Sequence, residues 1–167
     1  MNCSTDKIFL FDWGDTLMVD FPDQHGKMCD WERVELVTGA EKILEILSRH
    51  TAVYIATGAV DSSEADIQKA FVRAGISQHI TGYFCYENLG IGKGTPAFFH
   101  AILDRLGTDA PCVAMVGDSL EKDIIPASKA GMFSYWLTSE LPAAPPDLPE
   151  NTIVISSLYE LCRPGLF

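Results

Sequence analysis

The sequence predicts an α/β fold, a three-layer, doubly wound, mainly parallel sheet. Two observations carry this. Short apolar runs alternate with amphipathic helical stretches along most of the chain, which implies a parallel sheet covered on both faces. The residues able to do chemistry cluster at or just past the ends of the apolar runs, where an open α/β sheet collects its reactive groups.

The predicted strands are IFLF (8–11), AVYIA (52–56), a weaker run near GYFCY (82–86), CVAMV (112–116), FSYWL (133–137) and TIVI (152–155). They are rich in β-branched and aromatic residues and are bounded by turn formers. Between them, 40–49 presents Ile43, Leu44, Ile46 and Leu47 on one helical face. Ser63 and Asp66 form a capping box ahead of Ile67, Ala70 and Phe71, and Gly75 ends that helix. Thr95-Pro96 opens the next, which carries Phe98, Phe99, Ile102, Leu103 and Leu106 and stops at Gly107. Two segments fall outside the alternation: a flap over 18–38, with a short helix expected around Trp31–Leu36, and a proline-rich connector over 142–149. All 167 residues are expected to form one domain.

Composition excludes several classes. Apolar residues make up 47% and charged residues 21%, as in an ordinary globular protein, and no run is long enough to span a membrane. The start, MNCSTDKIFLFD, lacks the basic flank and apolar core of a signal peptide, so a cytoplasmic location is expected. A net charge of −11 with no basic run argues against a nucleic-acid partner. Five scattered cysteines without a CxxC pair fit neither a disulfide framework nor a zinc site, and Cys85 and Cys112 read as small buried hydrophobes.

Four short motifs belong together: FDWGDTL (11–17), YIATG (54–58), Lys93 in GKGTP, and VGDSLEKD (116–123). They supply three carboxylates, a hydroxyl and an ammonium, a set suited to metal-assisted phosphoryl transfer through an aspartyl intermediate. Other motif readings fail. GDSL at 117–120 is the signature of a serine esterase family that needs a later histidine, and all four histidines precede Ser119. GIGKGT lacks the leading glycine of a P-loop, because Glu87 stands there. A two-component receiver would carry its acid on a middle strand, and 53–57 has none.

In this order, with the KxxP spacing of Lys93–Pro96 and the GDSxxxD…AGM run from Gly117 to Met132, the motifs resemble the haloacid dehalogenase-like hydrolase superfamily over nearly the whole chain. TIVISSLYEL is similar to the family's closing strand and helix. The resemblance implies Asp12 as nucleophile, with Thr57 and Lys93 holding the phosphoryl group. It implies Mg²⁺ positioned by Asp12, the backbone carbonyl of Gly14, Asp118 and Asp123. Three carboxylates and one ammonium leave two negative charges, which one Mg²⁺ neutralises before a phosphate dianion arrives.

The sequence departs from the family pattern at one place. Its phosphatases usually read DxDGT, the second aspartate protonating the leaving group, whereas here Gly14 holds that position and Asp15 follows it. The proton then comes from water or substrate, from Asp15 in a re-registered turn, or is not needed because the leaving group is an acyl or aryl phosphate. A catalytically weak phospho-ligand binding or regulatory module is the alternative reading. The 44 residues between Asp12 and Thr57, and the 35 between Thr57 and Lys93, leave no room for a cap domain. An uncapped site implies a bulky phosphorylated substrate or closure by a second subunit of a homo-oligomer. Trp13, Phe21, His25 and Trp31 could line its entrance, but such residues more often pack than touch substrate, and no role is assigned to them.

Overall fold

The computed structural model of the chain describes residues 7–140 and 148–162. Its six strands are β1 Ile8–Phe11, β2 Val53–Ala56, β3 Gly82–Phe84, β4 Val113–Gly117, β5 Phe133–Leu137 and β6 Thr152–Ile155. They pair in parallel throughout, in the order β3-β2-β1-β4-β5-β6. The winding reverses at β1, between β2 and β4, so the crevice of this sheet opens beyond those three carboxyl ends. Phe11 stands opposite both Ile55 and Val116. Asp12, Thr57 and Asp118 therefore emerge side by side.

Helices α1 Ala40–Leu47, α2 Glu64–Arg73, α3 Tyr86–Leu89, α4 Pro96–Leu106 and α5 Ile125–Lys129 cover the sheet. The pleat sorts the strand residues between two cores. Phe9, Phe11, Val53, Ile55 and Val116 pack with α1 and α2 on one face. Leu10, Ala56, Val113 and Met115 pack with α4 and α5 on the other. Burial on both faces explains why the strands read as continuous apolar runs. The capping box of Ser63 and Asp66 forms as expected, α4 starts at Pro96, and Gly107 closes it in the left-handed region. Helix α1 stops at Leu47, and α3 is a single turn the sequence did not announce.

The flap corrects one expectation. Trp31–Leu36 is not helical, with Leu36 bridging Met18, and the short helix is instead a 3₁₀ turn at Met28–Asp30. Six residues are too few to hold a helix unaided. Here the backbone finds other partners: Val19 N–H donates to Glu35 O at 2.9 Å and Val37 N–H to Leu17 O at 2.9 Å. The Trp31 indole donates to Gly26 O at 3.0 Å and the ring is buried. Lys27 and Asp66 (2.7 Å), Lys69 and Asp30 (2.7 Å), and Arg73 donating to Cys29 O (2.8 Å) tie the flap to α2.

Two further expectations change. The segment after β6 is a 3₁₀ helix, Leu158–Cys162, rather than an α-helix; its two buried residues, Leu158 and Leu161, are three apart, the period of that helix. Cys29, Cys85 and Cys162 are free thiols, but Cys112 is disulfide-bonded and so is not a free buried hydrophobe. Of the connector predicted over 142–149, all but Leu148 and Pro149 lies outside the described residues. No helix among the described residues is long and apolar enough to cross a membrane.

Candidate active site

Asp12 follows β1, with its N–H bonded to Val116 O of β4 at 2.9 Å. This backbone tie fixes the carboxylate at the switch point. Thr57 follows β2, with its N–H on Phe84 O at 3.0 Å; its buried hydroxyl accepts the Ala59 N–H at 3.1 Å. One of its two lone pairs is thus taken, and the hydroxyl proton is left for a ligand. Lys93 does not sit in a helix. It lies in the loop ahead of Thr95, and its side chain passes Gly58, where a Cβ would stand 3.3 Å from Lys93 Cβ.

The Lys93 ammonium is the hub. Its Nζ lies 2.5 Å from Asp12 Oδ1, 2.6 Å from Asp123 Oδ1 and 2.6 Å from Ala56 O. Three donors meet three acceptors, with the Lys93 side chain only 3% exposed. Burial opposes the charge on Lys93, but Asp12 and Asp123 outweigh it and hold its pKa above the ordinary value.

Asp123 enters through a π turn, Leu120–Ile124, which follows β4 and leads into α5. The wider turn bends the chain inward, so that Asp123 is 1% exposed and its Oδ2 accepts the Ser119 N–H at 3.0 Å. It packs over Gly117, where a Cβ would fall 2.5 Å from Asp123 Cγ and nearer still to its Oδ2. Asp118 is held differently. Its main-chain oxygen accepts the Trp136 indole N–H at 2.9 Å, and its Oδ1 accepts the Thr16 hydroxyl at 3.1 Å. Thr16 is fully buried and also reaches Asp12 Oδ2 at 3.5 Å.

Oxygens of Asp12, Asp118 and Asp123 lie within 4.8 Å of one another, close enough to share one cation. No cation among the described residues pairs with Asp118, whose pKa is pushed up to about 7 by burial and then by Asp12 and Asp123. Burial also raises Asp123, against Lys93 and the Ser119 N–H, which lower it. An all-oxygen donor set with unbalanced negative charge fits Mg²⁺, which keeps water in its remaining positions.

The cleft has a volume of about 580 Å³ and takes in all six residues singled out by the sequence: Asp12, Gly14, Thr57, Lys93, Asp118 and Asp123. Trp13 and Trp31 line it, whereas His25 belongs to a separate hollow and Phe21 packs under Arg33. Asp15 also lines the cleft. It takes φ +54, which Asp tolerates better than most residues, and its Oδ1 accepts the Asp20 N–H at 2.9 Å. Asp20 also lines the cleft, and its pKa is raised by burial and by Asp15 and Asp12. Sequence reasoning missed Thr16 and Asp20. The first lies inside a recognised motif, but nothing in the chain marks the second.

Comparison with known proteins shows the family. A model of the haloacid dehalogenase-like hydrolase family matches residues 14–131. A phosphoserine phosphatase of Thermus thermophilus is 34% identical over 122 residues, 70% of this chain and 47% of that protein. The chain spans about half the length of several curated relatives it matches. Among solved structures, an uncharacterized Listeria monocytogenes protein superposes with a TM-score of 0.80 at 22% identity, covering 93% of this chain and 94% of that one. The hydrolase YfnB of Bacillus subtilis, solved bound to magnesium, gives 0.74 at 16% identity, covering 93% and 96%. At these identities the two structures carry the fold alone.

Proposed function

Because the chain belongs to the haloacid dehalogenase-like hydrolase family, we propose that it is a Mg²⁺-dependent phosphohydrolase working through a phosphorylated Asp12. Its substrate class is a phosphomonoester or an acyl phosphate. The observation that carries this reading is the pairing of Asp12 with the buried Lys93 inside the Asp12–Asp118–Asp123 cluster. The phosphoserine phosphatase among the relatives supports the phosphomonoester class.

A carboxylate such as Asp12 needs no activating base to attack phosphorus. Lys93 takes up charge that builds on the phosphoryl oxygens, and the Thr57 hydroxyl donates to one of them. Asp118 and Asp12 would hold Mg²⁺, with Asp123 fixing Lys93 and the start of the π turn. Bound there, the ion would supply neutralisation of the carboxylates and of the incoming phosphate dianion. Between β1 and β2 the chain forms only the flap and α1, so the cleft stays open to large substrates.

The test is release of inorganic phosphate from p-nitrophenyl phosphate and acetyl phosphate, with and without Mg²⁺, by the wild type and Asp12→Asn. Turnover that needs both the ion and Asp12 is expected. Binding of Mg²⁺ and phosphate analogues without turnover would move the protein to a phospho-ligand binding role.

A further inference from the structure

Cleaving an alkyl phosphate leaves an alkoxide that must take up a proton, and neither Asp12 nor Lys93 is available to give one. The Lys93 ammonium has its three donors on Asp12, Asp123 and the Ala56 carbonyl. Gly14, two residues past the nucleophile, has no side chain. Besides the cluster Asp12, Asp118 and Asp123, which is set for a cation, the cleft holds three carboxyls: Asp15, Asp20 and Asp61. Asp61 accepts from Ser62 Oγ at 3.1 Å, on the β2 side beyond Thr57. Asp15 is engaged by the Asp20 N–H.

Asp20 is the carboxyl that stands over the empty side of Gly14. Its Oδ2 lies 3.4 Å from the point a Cβ on Gly14 would occupy, and its Cγ lies 3.7 Å from that point. Asp15, in its left-handed turn, holds the Asp20 backbone so that the loop returns there. The absent side chain at 14 is thus replaced through space by one six residues later.

We propose that Asp20 is the general acid and base of this site, with Asp15 as the residue that positions it. The proposal rests on the phosphohydrolase reading above. As an Asp12 oxygen bonds to phosphorus and the P–O bond to the leaving group breaks, the Asp20 carboxyl gives its proton to the departing oxygen. In the second step the Asp20 carboxylate takes a proton from water as that water attacks phosphorus, the P–O bond to Asp12 breaks, and inorganic phosphate leaves. One water is consumed and Asp20 ends protonated again.

The experiment compares kcat/KM of wild type, Asp20→Asn and the double variant Gly14→Asp/Asp20→Asn on β-glycerophosphate, phenyl phosphate and p-nitrophenyl phosphate with Mg²⁺. This ratio reports phosphorylation of Asp12, the step in which the leaving group departs. The expected loss in Asp20→Asn grows with the leaving-group pKa, reaching on the order of 10²-fold or more for the alkyl phosphate and far less for p-nitrophenyl phosphate. The room beside Gly14 lets an aspartate there take over, so the double variant is expected to recover most of the alkyl activity. An equal loss on all three substrates, or none, would overturn the proposal. A wild type that turns over acetyl phosphate but none of these three would overturn this proposal alone; one that turns over none of the four would overturn the phosphohydrolase reading with it.

Discussion

Replacing Gly117 with alanine tests how tightly the metal-facing end of β4 is built. Gly117 does not occupy the left-handed region, so its backbone would accept alanine. On that ground alone the change would stabilise the fold by about 0.4–1 kcal/mol, through the unfolded chain. The side chains reverse the sign. The new Cβ would lie 2.5 and 2.6 Å from Asp123 Cγ and Cβ, and closer still to Oδ2. Asp123 is 1% exposed and has nowhere to swing. If it stays, overpacking costs roughly 1–3 kcal/mol. If it is pushed out, the buried pair with Lys93 breaks at roughly 3–5 kcal/mol. A net loss of about 3 kcal/mol lowers Tm by roughly 6–12 °C in a chain of this size. Calorimetric melts of wild type, Gly117→Ala, Asp123→Ala and the double variant read this directly. The glycine substitution is expected to cost less in the Asp123→Ala background, where two of the three clashing atoms are gone. A Gly117→Ala protein that melts at or above the wild-type temperature and binds Mg²⁺ equally well would refute the packing argument.

Three other outcomes follow from the same geometry. Lys93→Met leaves the half-buried Asp12 and the buried Asp123 without their cation, so turnover is lost and stability falls by roughly 3–5 kcal/mol in calorimetric melts. Thr16→Val keeps the shape but removes the hydroxyl on Asp118, so calorimetric titration should show Mg²⁺ affinity down on the order of tenfold. Because Asp118 is raised to about 7 and a protonated oxygen cannot ligate, apparent Mg²⁺ affinity falls as pH drops below that value and levels off above it. Titrations at acid and alkaline pH that give one affinity would contradict the assignment of Asp118.

The sheet was legible because the inner strands β1, β2, β4 and β5 are largely buried on both faces, and because two crossovers carry plain helix signals, the Ser63–Asp66 box and Thr95-Pro96…Gly107. The site was legible where motif residues fall directly past strand ends, as Asp12, Thr57 and Asp118 do. It was not legible where the decisive contact is made across loops. The flap was misread because Trp31–Leu36 has polar and apolar residues in a helix-like mixture, whereas pairing with Leu17–Val19 decides its form. Asp20 carries no motif, and its place over Gly14 depends on the turn at Asp15 and the return of the loop. The π turn that buries Asp123 is likewise set by packing on Gly117 rather than by any local preference.

The central claim, that Asp12 carries the phosphoryl group, is tested most directly by trapping it. Protein mixed with Mg²⁺ and acetyl phosphate, quenched in acid and reduced with borohydride, would be digested and read by mass spectrometry. The account predicts that the peptide containing Asp12 carries homoserine in its place, formed from the aspartyl phosphate, and that Asp12→Asn protein gives none. An unmodified Asp12 peptide from protein that is turning over acetyl phosphate would contradict it.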